Sequence, residues 1–223
     1  MSVYLPPTEP LDIVHVDATL IVVDKPSGLL SVPGRGEAKQ DCVITRLQRN
    51  FPEAMIAHRL DMSTSGLLVV ARGEAAQKAM YKLFRDRAVD KRYLATVAGL
   101  VEDDTGEIDL PLICDWPNRP RQMVSHEIGK PSLTRYRVVE RSPAENLTRI
   151  ELEPVTGRSH QLRVHLAAIG HPILGDELYA GPAAERAPRL LLHAAEIAFV
   201  HPQTGKPINF LSMPPFFPSP KPQ

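Results

Sequence analysis

The sequence predicts an α+β or mixed fold, with many short strands and few helices. Three observations carry this expectation. Short runs rich in β-branched residues or strictly alternating recur along the chain, as in Thr19 to Asp24, Leu67 to Ala71 and Leu147 to Glu153. Only three segments show helical spacing of apolar residues. The two kinds of segment follow no regular strand–helix–strand rhythm, which argues for an α+β or mixed fold.

Taken in order, Thr19 to Asp24 (TLIVVD) reads as a strand stopped by a turn at Lys25-Pro26. Ser31 to Gly36 is a loop. Asp41 then caps a helix whose Val43, Ile44 and Leu47 share one face, with Arg46 and Arg49 elsewhere and Pro52 as its end. The unbroken apolar run Leu67 to Ala71 is a buried central strand. From Glu74 to Arg87, Ala76, Met80, Leu83 and Phe84 recur at helical spacing, giving an amphipathic helix. Arg92 to Ala98 alternates as a strand. Thr134, Tyr136 and Val138 face one way and Arg135 and Arg137 the other, the pattern of a half-buried strand. In Leu147 to Glu153, Ile150 and Leu152 turn inward. Ser159 to Ile169 is a short helix with Ser159 as cap and Gly170 as stop. Strands follow at Leu190 to His193, Ala195 to Val200 and Pro207 to Leu211, and the proline-rich tail from residue 213 to residue 223 is expected to be mobile.

Composition narrows the function classes. The 223-residue chain carries 26 basic and 26 acidic residues, so bulk positive charge does not drive any binding to nucleic acid. A local basic cleft remains open, because steering depends on where charge sits. Basic residues do cluster, at Arg85, Arg87, Lys91 and Arg92, at Arg119 and Arg121, at Arg135, Arg137 and Arg141, and at Arg158 and Arg163. Each cluster alone reads first as a solvated face. No apolar run approaches the roughly 20 residues of a membrane helix, and the first ten residues lack the pattern of a signal peptide. Cys42 and Cys114 are too few and too far apart for a disulfide framework or a metal knuckle, so a cytoplasmic protein with reduced thiols is expected.

Several motifs fail. Gly34-Arg35-Gly36 lacks the third glycine of a dinucleotide fingerprint, and no phosphate-loop lysine is present. His126-Glu127 has no second histidine at the required spacing. His160 and His165 stand five apart with no third ligand, so no metal is expected. Ser65 lacks the glycine frame of a nucleophile elbow.

The informative segment is Ile56 to Arg72 (IAHRLDMSTSGLLVVAR), which sets His58, Arg59 and Asp61 just before a polar turn that enters the buried run. A carboxylate at the edge of a central strand suits chemistry. On the residues alone, Asp61 could equally be a turn residue held by Thr64 and Ser65. The string HRLDMSTSG resembles the H-R-L-D-x-x-T-S-G motif of the RluA family of pseudouridine synthases. Lys91-Arg92-Tyr93 is similar to that family's K-x-Y strand. Thr156 to His165 (TGRSHQLRVH) resembles its G-R-x-H-Q-[IL]-R-x-H motif, followed by Gly170 to Asp176 (GHPILGD). Asp24 to Leu29 (DKPSGL) resembles its opening, with aspartate in place of the usual asparagine. The resemblance covers roughly residues 10 to 212, four motifs in order.

That resemblance implies the pseudouridine synthase catalytic fold over 11–212, an α+β architecture with a mixed, mostly antiparallel central sheet flanked by helices and loops and a central active-site cleft, in two intimately packed subdomains. It implies an N-terminal extension over 1–10, no S4 RNA-binding module, and the tail beyond. It implies conversion of uridine to pseudouridine without a cofactor. Asp61 would be the catalytic carboxylate, Arg163 the arginine paired with it, and Tyr93 the aromatic that stacks on the target base. Arg59 would fill the space left by the flipped nucleotide, with His58, Arg85, Arg87, Lys91 and Arg119 as further RNA contacts. The segment Leu110 to Pro120 (LPLICDWPNRP) is most similar to the founding member of the family. This implies dual substrates, uridine 746 of 23S rRNA and uridine 32 of tRNA anticodon loops, and a monomer with no protein or membrane partner. The rivals are the same chemistry on another uridine, a non-catalytic RNA-binding module, and a glycoside hydrolase, for which Asp61 lacks a partner better than the turn residues Asp24 and Asp176.

Overall fold

The structure is a computed structural model and describes residues 4–217. The elements in order are β1 (Asp12–Val16), β2 (Leu20–Lys25), α1 (Val43–Leu47), β3 (Ala54–Ile56), β4 (Ser65–Arg72), α2 (Glu74–Arg85), β5 (Val89–Ala98), β6 (Thr105–Asp109), β7 (Leu112–Cys114), β8 (Gln122–Val124), β9 (Leu133–Ser142), β10 (Leu147–Pro154), α3 (Gln161–Ala168), β11 (Leu192–Val200) and β12 (Pro207–Leu211). Strands dominate, helices are few, and the class is α+β. No helix among the described residues is long and apolar enough to cross a membrane.

The described residues divide into two compact units, one formed by 4–90 and 194–212, the other by 91–193 and 213–217. In the first unit the strand order is β1-β2-β4-β11, with β3 on β4 and β12 on β11. β4 is buried along nearly its whole length because it has strands on both sides and α2 against its face. A strand in that position can carry no polar alternation, which is why LLVVA is continuous. Leu20, Val22, Leu67, Val69, Met80 and Phe199 form the core here.

In the second unit β5, β10, β9 and β6 are neighbours in that order, and β7 pairs with β8 in a separate hairpin. Ile150 and Leu152 face Ala95, Val97, Leu162, Leu166 and Ile173. The opposite, polar face is laced with ion pairs. Arg135 meets Glu107 and Glu153, Arg137 meets Glu151, and Arg141 meets Asp104. That arginine cluster is a solvated, charge-paired face.

Some boundaries differ from expectation. Asp41 does not cap α1. Its carboxylate takes both arms of Arg46, at 2.8 and 2.7 Å, and Cys42 caps reciprocally with Thr45. The helix ends at Leu47, well before Pro52, in tight turns that return to the Leu47 carbonyl. At α3 the cap position belongs to His160, in the left-handed conformation with φ of 55°, and not to Ser159. The first turn is held instead by the Gln161 side chain, whose carbonyl accepts the Arg158 N–H and the Thr156 hydroxyl. Gly170 does end that helix, with φ of 85°. The expected break between His193 and Ala195 is bridged by one continuous β11. In the tail, Pro214 and Phe217 are buried and Phe216 lies under Arg189, so 214–217 pack down through their apolar side chains; residues 218 to 223 lie outside the described residues.

Candidate active site

In the first unit the loop before β4 presents His58, Arg59 and Asp61. Asp61 is half-buried and Arg59 exposed. The loop is fastened from below by the segment after β2. Lys25 is fully buried, and its ammonium donates to the carbonyls of Pro26 at 3.0 Å, Leu29 at 2.7 Å and Met62 at 3.0 Å. The Gly28 N–H also reaches the Met62 carbonyl at 2.8 Å, and the Ser27 hydroxyl reaches that of Ser63 at 2.7 Å. On the other side of Asp61, Ser31 donates to the Leu60 carbonyl at 2.8 Å and accepts the Leu60 N–H at 3.2 Å. Residues 60, 62 and 63 are therefore all tied to one neighbouring loop, and the backbone carrying Asp61 is pre-organised.

Gly66 completes the turn. Its φ is 110°, and an added Cβ would lie 2.4 Å from the Ala194 carbonyl oxygen of β11. Only glycine allows that conformation and that approach. His58 is half-buried: its Nε2 accepts the Val69 N–H at 2.9 Å and its ring packs 4.5 Å from Phe84 of α2. This contact sets the loop beside the end of α2, where Arg85 and Arg87 are exposed. Asp24, weighed as an alternative carboxylate, accepts the Ser212 hydroxyl and is engaged structurally.

In the second unit Arg163 is 3% exposed and Asp176 1%. The guanidinium donates in a fork, Nε to Oδ2 and Nη2 to Oδ1, each at 2.7 Å. Asp176 Oδ1 also accepts the backbone N–H of Leu178 at 2.9 Å and of Tyr179 at 3.2 Å. Charge-assisted bidentate pairing of this kind fixes the plane of an arginine as well as its position. Tyr179 packs its ring 5.1 Å from the Arg163 guanidinium, accepts the Gln122 N–H at 2.8 Å and shares a 2.6 Å hydrogen bond with His160 Nδ1. Asp176, weighed from the sequence only as a turn carboxylate, holds Arg163, and Tyr179 was not singled out; the GHPILGD segment that follows the HQLR string was the available signal.

Tyr93 lies on β5 opposite Leu152 of β10 and packs, partly buried, against the core. Lys91 is half-buried on the same strand; burial pushes its ammonium below the usual lysine range, opposed by the charge of Glu153. Arg119 sits exposed at the tip of the β7–β8 hairpin, its guanidinium 4.5 Å from the ring of Trp116. His165 is buried between Thr134 and the Leu110 carbonyl, and burial lowers its pKa, so it serves as a neutral core histidine. Among the described residues no three His, Cys, Asp or Glu side chains are grouped to hold a metal ion.

Residues 19–168 match the model of the RNA pseudouridylate synthase family. The chain is 54% identical over 212 residues to the dual-specificity RNA pseudouridine synthase RluA of Escherichia coli K12, covering 94% of this chain and 96% of that one. It is 52% identical over 216 residues to the protein of the same name from Pasteurella multocida, covering 96% and 98%. Among solved structures it resembles human RNA pseudouridylate synthase domain containing 1, with a TM-score of 0.78 and 30% identity over 96% of this chain and 88% of that one. Identity of this extent carries both fold and reaction type, and the chain belongs to the RNA pseudouridylate synthase family.

Proposed function

We propose that this pseudouridine synthase uses Asp61 as its reacting carboxylate and acts on two RNAs, 23S rRNA and tRNA anticodon stem-loops, at the two uridines named above. The observation that carries the assignment of Asp61 is the clamp on both sides of it, through Leu60 to Ser31 and through Met62 to the buried Lys25. A turn residue with no chemical duty does not need a buried ammonium beneath it. The name shared by the Escherichia coli and Pasteurella multocida relatives supports dual specificity.

The reaction breaks N1–C1′, turns the uracil, joins C5 to C1′, and moves the C5 proton off while N1 gains one, so the product is an isomer. Asp61 either attacks or abstracts at the ribose or base. Arg163 serves as its counter-charge and orients the carboxylate. A guanidinium has five N–H donors, so a fork to Asp176 is compatible with service to a second carboxylate. Tyr93 stacks on the uracil and assists the C5 proton. The uridine leaves its stack to react, and Arg59 fills its place with His58 beside it. Arg85, Arg87, Lys91 and Arg119 bind phosphates. The reading carries a catalytic domain over 11–212 and a monomer acting in the cytoplasm.

The test is site-resolved mapping of pseudouridine in 23S rRNA and tRNA transcripts. Wild type is expected to modify both and Asp61→Asn neither, while the variant still binds RNA. Binding by wild type without any pseudouridine would defeat the reading; modification of one RNA alone would defeat dual specificity.

A further inference from the structure

Trp116 is the chain's single tryptophan and is 64% exposed. Tryptophan is among the more buried residues on average, and a solvated indole at a hairpin tip needs a reason. We propose that the turn joining β7 to β8 is a nucleobase-stacking platform: an unpaired base of the RNA lies on Trp116, backed by Arg119. This rests on the reading that the substrate is a looped RNA.

Four features of the turn support it. The Arg119 guanidinium lies 4.5 Å from the indole centroid, and its Nε donates to the Trp116 carbonyl at 3.2 Å, so cation and ring are locked as one flat surface. The turn is internally closed: the Asp115 N–H reaches the Arg121 carbonyl and the Arg121 N–H the Asn118 carbonyl, both at 3.0 Å. Asn118 further donates from its side chain to Asp115 at 2.9 Å, which occupies the turn's one carboxylate. A surface already ordered pays little entropy on binding. Arg119 and Arg121 then leave the tip positive, suited to a phosphate chain. An indole stacks on any base, because every base offers a π face.

The base of the hairpin is fixed where it matters. The Gln122 N–H at the start of β8 donates to the Tyr179 hydroxyl, and the Tyr179 ring packs against Arg163. One side chain thus ties the platform to the guanidinium of the active site. Tyr179 is a positioning residue: it sets the distance between the base that docks and the arginine.

A single tryptophan makes the test direct. Trp116 emission is followed while a tRNA anticodon stem-loop is titrated in, with binding measured separately by filter retention. Emission is expected to be quenched in step with binding, and a blunt duplex without unpaired bases is expected to bind without quenching. Trp116→Ala should weaken affinity and raise KM roughly 5- to 150-fold, the range of one lost base stack, while kcat at saturating RNA is retained. Trp116→Phe should restore most of the affinity, which a merely structural role would not require. Tyr179→Phe, which keeps the ring and removes the hydroxyl, should cost about 2- to 10-fold in KM. Saturation without a change in emission, equal quenching by the duplex, or a Trp116→Phe protein as weak as Trp116→Ala overturns the platform. Pseudouridine formation by wild type is scored in the same RNA. If it does not form, the functional reading fails; if it forms without quenching, the platform alone fails.

Discussion

Replacing Asp176 with asparagine removes one negative charge and changes almost nothing in shape. In the wild-type protein the carboxylate is 1% exposed and takes two charge-assisted hydrogen bonds, both 2.7 Å, from an Arg163 that is itself 3% exposed. The amide can still offer one oxygen to the N–H groups of Leu178 and Tyr179. Its NH2 must then face an N–H donor of Arg163, and the buried guanidinium loses its compensating charge. Breaking a buried pair in this way costs roughly 3–5 kcal/mol. For a chain of this size each kcal/mol shifts Tm by roughly 2–4 °C, so Asp176→Asn is expected to melt about 6–20 °C below wild type. Activity should fall further than stability at the assay temperature explains, because Arg163 is no longer held in one plane. The double variant Arg163→Met with Asp176→Leu separates the two effects: an apolar pair of similar bulk should recover much of the lost Tm and none of the turnover. Calorimetry and a tritium-release assay read both quantities. An Asp176→Asn protein with unchanged Tm and wild-type kcat would refute the assignment of Asp176 as the residue that holds Arg163.

Lys25→Met leaves the volume of the side chain nearly intact and strips the ammonium from the carbonyls of Pro26, Leu29 and Met62; a loosened Asp61 loop should lower kcat about 10- to 100-fold with a smaller change in RNA affinity. Gly66→Ala forces an L side chain to φ of 110° and sets its Cβ 2.4 Å from the Ala194 carbonyl, so a loss of more than roughly 2 kcal/mol in urea unfolding is expected. Asp17 gives a pH prediction. Burial alone would raise its pKa, but hydrogen bonds from His15 and from the Thr19 and Leu20 N–H groups, with the charge of His201, bring it to about 2 from 3.8. A carboxylate depressed on folding stabilises above its unfolded pKa and loses that contribution as pH falls toward its folded one. Asp17→Asn should therefore cost about 2 kcal/mol near neutrality, with most of that cost gone by pH 2 and the remainder lost below it, and a constant difference between the two proteins across that range would contradict the assignment.

The sequence by itself determined what local periodicity and short motifs can encode. The buried run Leu67 to Ala71, the face of α2 built on Ala76 and Met80, and the inward Ile150 and Leu152 followed from hydrophobic pattern, since burial on both faces or on one leaves a distinct spacing. The HRLDMSTSG and HQLR strings marked Asp61 and Arg163 because their residues are contiguous. The short strands β1, β3, β6, β7 and β8 were not legible. Most of β1 is exposed and β6 is the polar stretch TGEID, so neither carries an apolar stripe; such strands exist only because a neighbour supplies their hydrogen bonds. Caps misled for a similar reason: Asp41 had a better partner in Arg46. What tertiary structure alone decided is which charges meet. Lys25 read as a turn lysine and is fully buried beneath a loop 37 residues away, and Arg163, in a basic cluster that alone read as a solvated face, is buried against Asp176. A side chain's charge is written in the sequence, but its partner is chosen by packing that no local window contains.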